Sequence, residues 1–517
     1  MEKRQYPETI KNVTIDGHSL TIEQAVAVAR FGATVEIAKE AKDAMAASHR
    51  LVEKILDENR VAYGISTGFG EFSKVSVGRE MSGQLQDNLI MSHCVAVGNP
   101  LNEETTRAML LLRANALCIG NSGIRPELVQ TLVDMLNAGV HPVIPEKGSL
   151  GASGDLAPLS HMALVLLGMG EAIYKGKKMP GKDAMQMAGL PTYHLQAKEG
   201  LALINGTQCM TAVGVLSFYD AYKAAKLADI VGSMSMEALT GLRNAFDPRV
   251  SAVRPHKGQQ YVAKNFRLLT DGSELLDASQ DLRVQDAYAL RCIPQVHGAI
   301  RDSLDYIRGV VETEMNSVTD NPLMFLDDES VISGGNFHGE PMALAMDFMG
   351  IAVSEIADIS ERRLERLVNP ALSNGLPAFL TPNGGLNSGY MICQYSAASM
   401  VSENKVYAHP ASVDSIPSSA NQEDIVSMGT TAARKSRLIV ENTLSVLGFE
   451  LMAAVQGLDL RDKKPSHVHQ KIHDLVREGI AFFEKDREIR IDIEFMEKLI
   501  RSGKIEKLVE EELPEFN

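Results

Sequence analysis

The chain contains no tryptophan, and aromatic residues make up only 5% of its 517 residues. Its core must therefore be built mainly from aliphatic and methionine side chains, of which it has 24 methionines. Cysteine is scarce too. Cys94, Cys118, Cys209, Cys292 and Cys393 are odd in number, widely spaced and without a CxxC pair. That usage argues against a disulfide framework or a cysteine-based zinc site and fits buried thiols in a reducing cytoplasm. No unbroken apolar run is long enough for a membrane span, and the stretch Met1–Pro7 lacks the apolar centre of a signal peptide. Basic residues are outnumbered, 51 Lys and Arg against 66 Asp and Glu, for a formal net charge of −15. With no basic domain standing out, nucleic acid is not an expected partner.

What is present is an ordinary globular composition, 45% hydrophobic and 23% charged. The length allows two or three packed regions. Most of the chain reads as helix. Residues 207–239 and 430–458 are rich in Ala, Leu, Val and Met without proline, and 341–367 reads as a third long helix. In the second of these, Leu444, Leu447, Leu451 and Val455 fall on one face. Hairpins are expected at Val13–Ile15 with Ser19–Thr21 around Asp16-Gly17, at Ala172–Tyr174 around Gly176, and at Leu323–Phe325 around Asp327–Glu329. The expected fold is mainly α. It would have a mixed N-terminal region over 1–200, a long-helix bundle over 201–460 and a charged helical appendage over 461–517. Helices this long bury their apolar faces on one another, often between subunits, so a homo-oligomer is expected.

One segment, Gly148-Ser149-Leu150-Gly151-Ala152-Ser153-Gly154-Asp155, is chemically unusual. Read alone, it is most simply a glycine-rich turn before a helix. It has no GK[ST] and no clear βαβ unit, which makes it a poor phosphate loop. The triad Ala152-Ser153-Gly154 has a further option. Gly154 has no side chain, so its amide nitrogen can approach the Ala152 carbonyl closely. Attack there closes a five-membered ring, and loss of the Ser153 hydroxyl as water leaves an exocyclic methylene. The product is 4-methylideneimidazole-5-one, a strong electrophile. Asp155 could move protons during that closure.

The surrounding segments decide between these readings. Residues 148–168 closely resemble the signature of the aromatic amino acid ammonia-lyases and aminomutases, and the resemblance runs from about Asn12 to Arg461. It includes Tyr63–Gly70, Leu203–Gln208, Gln285–Cys292, Gly334–His338 and Ser412–Asp424, in the expected order. It implies a bundle of the ammonia-lyase/fumarase-like type, a homotetramer with sites shared between subunits, and the self-formed methylidene-imidazolone as cofactor, with no metal.

The resemblance also implies roles. Ser153 would carry the methylidene that captures the substrate amine. Tyr63 matches the base that takes the β-proton. A phenol titrates near about 10, so such a base needs neighbouring dipoles or helix N-termini. Gly64, Gly68 and Gly70 beside it read as a mobile lid. Arg291 matches the residue that holds the substrate carboxylate, a task suited to a guanidinium fork. Asn205, Gln285 and Tyr288 match polar residues of the pocket, and Phe337 matches an apolar wall. Read without the family, Tyr63 and Phe337 are packing residues and Arg291 is a surface ion pair.

The substrate implied is a small aromatic amino acid. His93, in Ser92-His93, resembles the pair of the histidine-acting members, although some tyrosine-acting members share it. Glu423, in Gln422-Glu423-Asp424, is the stronger pointer. A carboxylate can accept an imidazole N–H, whereas a phenyl ring would leave it poorly paired. The implied reaction is L-histidine to trans-urocanate and ammonia. A tyrosine or phenylalanine lyase and a 2,3-aminomutase are the alternatives. Ile425 departs from the His common at that place, and Ala287 and Ile293 also differ. His467, His469 and His473 resemble a metal cluster by spacing, but the lysines among them read as a solvated face.

Overall fold

The structure is a computed structural model that describes residues 6–516. Of the stretch Met1–Pro7, only Tyr6 and Pro7 fall within the described residues. The fold is mainly α-helical, and the chain divides into two compact units, each discontinuous in sequence. The first comprises 1–219, 308–347 and 410–434; the second comprises 220–307, 348–409 and 435–517.

Three of the long helices form where the sequence places them. They run Gln208–Ala238, Glu340–Val368 and Gly429–Asp459, with a further one at Ile293–Met315. Helix Gly429–Asp459 is long and apolar enough by composition to cross a membrane, but 78% of its apolar window is buried inside the protein. That burial marks a core helix. Within the second unit the bundle is pinned by a fully buried ion pair. Arg363 Nε and Nη2 meet the two oxygens of Glu450 at 2.5 and 2.9 Å, and Ser235 and Ser360 each donate to the same carboxylate at 2.6 Å. A pair this deep is tolerated because its geometry is bidentate and its oxygens are satisfied.

Among the described residues the strands all lie in the first unit. The hairpins Glu171–Tyr174 with Lys177–Pro180 and Leu323–Phe325 with Ser330–Ile332 form as the turn residues predict. The N-terminal hairpin does not form. Asn12–Ile15 pairs instead in parallel with Thr34–Ile37, across the helix Ile22–Phe31. Two local preferences explain the correction. Asp16 accepts the backbone N–H groups of His18 and Ser19 at 2.7 and 2.9 Å, turning the chain away. Thr21 then caps the helix in a reciprocal box with Gln24. All five cysteines are free, and Cys118, Cys209 and Cys393 are buried as expected; Cys94 and Cys292 are only half-buried.

The charged C-terminal stretch contains helices His467–Arg477, Arg490–Ser502 and Lys504–Glu512. The spacing of His469 and His473 serves separate pairings here. His469 is fully buried between Glu237 and Ser233, at 2.8 and 2.9 Å, and His473 pairs with Asp459 at 2.7 Å.

Candidate active site

The first unit forms an open-mouthed cavity of about 1170 Å³. Its lining includes Tyr63, His93, Ala152, Ser153, Asn205, Phe337 and Glu423. Six short segments bring these side chains together, and each is held by identifiable bonds.

The Ser153 turn is set from both ends. Upstream, strand Pro145–Lys147 pairs with Val97–Pro100, which follows the helix ending at His93. Downstream, Asp155 opens the helix Leu156–Leu164. Asp155 is fully buried and holds four donors: the Ser149 hydroxyl at 2.7 Å, the Met210 N–H at 2.8 Å, the Cys209 N–H and the Thr430 hydroxyl. Burial still pushes its carboxyl above the ordinary range, with those hydrogen bonds opposing. By accepting N–H groups from the first turn of helix Gln208–Ala238, it ties the turn to one of the longest elements of the protein. Gly154 has φ of +69°, and a Cβ there would lie 2.1 Å from the Gly206 carbonyl oxygen. Only glycine fits such a close backbone approach.

Asn205 ends the helix Glu199–Ile204 and donates through Nδ2 to the Ser153 carbonyl at 3.0 Å. Its Oδ1 is buried with no hydrogen-bond partner, which leaves an acceptor available. Phe337 lies in the loop after strand Ser330–Ile332, where the Asn321 Oδ1 accepts the Gly334 N–H at 2.8 Å. The same loop closes on the Ser153 turn through Gly339 N–H to the Gly151 carbonyl at 3.2 Å.

Tyr63 is flanked in the chain by Ala62 and Ile65, which belong to a small apolar cluster with Leu51, Val52 and Ile55. Its hydroxyl oxygen accepts the Gly70 N–H at 3.2 Å, and its ring meets Phe69 edge-on at 6.5 Å. His93 Nδ1 shares a hydrogen bond with Ser92 Oγ at 3.0 Å. Burial lowers the His93 imidazole below its ordinary value, and the Leu89 carbonyl and the Glu423 charge oppose this.

Glu423 arrives on a tight loop. Ser418 and Glu423 exchange two backbone hydrogen bonds at 2.7 and 3.2 Å, and Ser419, Ala420 and Asn421 between them all have positive φ. The carboxylate accepts Ser153 Oγ at 2.9 Å and Ser418 Oγ at 3.3 Å. Ser418 did not stand out in the sequence, because a serine five residues from a carboxylate carries no signal until the loop closes. Ile425 also lines the cavity.

Gln285, Tyr288 and Arg291 belong to the second unit and do not line this cavity. They form their own cluster. Arg291 Nη1 donates to Gln285 Oε1 at 2.7 Å, and its guanidinium sits 4.7 Å from the Tyr288 ring centroid. Tyr288 is 70% exposed.

A self-contained Ala-Ser-Gly turn, a tyrosine loop and a carboxylate at one cavity of a helical bundle define a class. The chain belongs to the aromatic amino acid lyase family, whose profile matches residues 20–478. It is 58% identical, over 97% of its length and 99% of the relative's, to the histidine ammonia-lyase of Caldanaerobacter subterraneus subsp. tengcongensis. Among solved structures, it resembles histidine ammonia-lyase from Trypanosoma cruzi, with a TM-score of 0.91 and 46% identity over 98% of this chain and 96% of that one. It also resembles tyrosine aminomutase from Streptomyces globisporus, with a TM-score of 0.92 and 37% identity over 96% of this chain and 98% of that one.

Proposed function

We propose that this chain eliminates ammonia from L-histidine to give trans-urocanate. The observation that carries the reading is the Glu423 carboxylate, held 2.9 Å from Ser153 Oγ in a cavity that His93 also lines. An imidazole N–H gives such a carboxylate a further donor, whereas a phenyl ring offers it none. The named activity of the relative at 58% identity supports the same substrate.

The residues present fit a ring built from Ala152-Ser153-Gly154. Gly154 is where only glycine is tolerated, and the Asn205 amide already meets the Ser153 carbonyl that the ring would retain. That ring supplies an electrophilic carbon which takes up the substrate amine and makes it a better leaving group. Asn205 Nδ2 is placed to stabilise negative charge on the Ser153 oxygen. Tyr63 is the base for the β-proton, its oxygen fixed by the Gly70 N–H. Glu423 and His93 orient the imidazole, and Phe337 provides an apolar wall.

Arg291, with Gln285 and Tyr288, is the proposed holder of the substrate carboxylate. Because this cluster lies outside the cavity lining, the reading includes a homotetramer in which neighbouring copies complete each site. The free thiols are compatible with a cytoplasmic location. A tyrosine- or phenylalanine-acting lyase, or a 2,3-aminomutase, is the rival reading, favoured by the apolar Ile425 in the cavity wall. Turnover of L-histidine against L-tyrosine and L-phenylalanine, with ammonia measured in each, tests the choice.

A further inference from the structure

Behind the Asn205–Gly206 segment lies a buried charged network that the reaction as described leaves unused. Arg113, on helix Glu103–Cys118, has no exposed surface, and neither has Lys198, which binds Asp320 at 2.7 Å. Arg113 Nη1 donates to Gln208 Oε1 at 2.6 Å, and Nη2 donates to the Ala202 carbonyl. Gln208 Nε2 in turn donates to Thr319 Oγ1 at 2.8 Å. Taking a guanidinium out of water is costly, and an apolar side chain of similar volume would avoid that cost.

The network is set directly against Gly206. A Cβ there would lie 2.3 Å from Arg113 Nη1, 2.4 Å from Gln208 Oε1 and 2.7 Å from Thr319 Oγ1. On its other side, the Gly206 carbonyl accepts the Asp155 N–H at 2.7 Å, and Gly154 and Gly206 pair as a parallel bridge. Asn205 meets the Ser153 carbonyl from the same segment. The Asn205–Gly206 backbone is thus clamped between Arg113, Gln208 and Thr319 on one face and the Ser153–Asp155 turn on the other.

We infer that Arg113, acting through Gln208 and Thr319, is a positioning residue for formation of the electrophile. It holds Asn205–Gly206 so that the Ala152–Gly154 turn keeps the folded-back geometry from which it closes. The inference rests on the proposed ring. In that closure the Gly154 N–Ala152 C bond forms, and the Ala152 oxygen leaves as water with the amide protons of Gly154 and Ser153. The Ser153 hydroxyl leaves as a second water with the Ser153 Cα proton. Arg113 touches none of these atoms and acts through the segment it supports.

The test is intact-mass measurement on folded, full-length wild type, Arg113→Gln, Arg113→Lys and Gln208→Ala, with far-ultraviolet circular dichroism to confirm folding. Wild type should be lighter than its sequence by two waters. Arg113→Gln and Gln208→Ala should complete that loss roughly tenfold or more slowly, since small misplacements weigh heavily on ring-closing geometry. Arg113→Lys keeps the charge without the fork and should fall between. A merely structural arginine would lower the thermal midpoint yet leave the folded chains fully dehydrated. Folded Arg113→Gln and Gln208→Ala that lose both waters as fast as wild type, followed by intact mass over time from fresh synthesis, overturn the inference, and Gln208→Ala decides it alone if Arg113→Gln does not fold. A wild type that retains both waters overturns the proposed ring itself.

Discussion

Ser153 and Glu423 lie 270 residues apart in the chain, yet Ser153 Oγ donates to Glu423 Oε1 at 2.9 Å. The side chain proposed to become the electrophile and the one proposed to read the substrate ring are in direct contact. Ser153→Ala removes the hydroxyl whose loss creates the methylene. The variant should fold, retain the full mass of its sequence at this turn and lose at least about 10³-fold in kcat. Intact mass and urocanate production read the two effects separately.

Tyr63 contributes its hydroxyl to the cavity but not to the Ser153 turn. Tyr63→Phe should therefore keep the two-water mass loss while kcat falls by about 10² to 10⁴-fold, the usual weight of a general base. A matured Tyr63→Phe enzyme with wild-type kcat would remove this residue from proton transfer.

Glu423→Gln keeps the size of the side chain but gives up the charge. Histidine turnover should drop by more than tenfold, about the weight of a charge-assisted hydrogen bond. Any residual phenylalanine turnover should change less. Equal losses on both substrates would mean that Glu423 does not read the imidazole.

Burial holds the His93 imidazole below its ordinary value of 6.5. The unfolded chain therefore takes up this proton first as the pH falls. Its contribution to stability is complete above about pH 6.5 and is lost between there and the lowered folded value. His93→Gln should reduce the difference in unfolding free energy between pH 7.5 and pH 5.5, measured by urea denaturation.

His469, Glu237 and Ser233 form a hydrogen-bonded chain with no exposed surface. His469→Ala leaves the Glu237 carboxylate without that partner and should cost on the order of 3–5 kcal/mol in stability. The kcat per folded chain should stay near wild type, and a metal chelator should leave turnover unchanged. Lost activity without lost stability would assign the cluster a chemical role.

Much of this arrangement was legible in the sequence because it is local. Two of the three long helices announce themselves as proline-free runs rich in Ala, Leu, Val and Met, and the Asp327–Glu329 turn closes its hairpin as written. Long-range pairing was less legible. Val13 and Ile15 alternate like any strand, and only the capped helix between them and Val35 shows that their partner is parallel. The site divides in the same way. Tyr63, His93, Ser153, Asn205, Phe337 and Glu423 meet at one cavity, whereas Arg291, Gln285 and Tyr288 cluster elsewhere in the chain. Arg113 escaped notice because an arginine inside a helical run reads as a solvated charge until its burial is seen.

The most direct test of the central claim is a set of parallel near-ultraviolet progress curves with L-histidine, L-tyrosine and L-phenylalanine, with ammonia assayed in each. The absence of tryptophan keeps the protein background low. The account predicts urocanate and equimolar ammonia from L-histidine, with little from the other two. No urocanate, together with a cinnamate-type product or a β-amino acid from tyrosine or phenylalanine, would contradict it and return Glu423 and Ile425 to the rival reading.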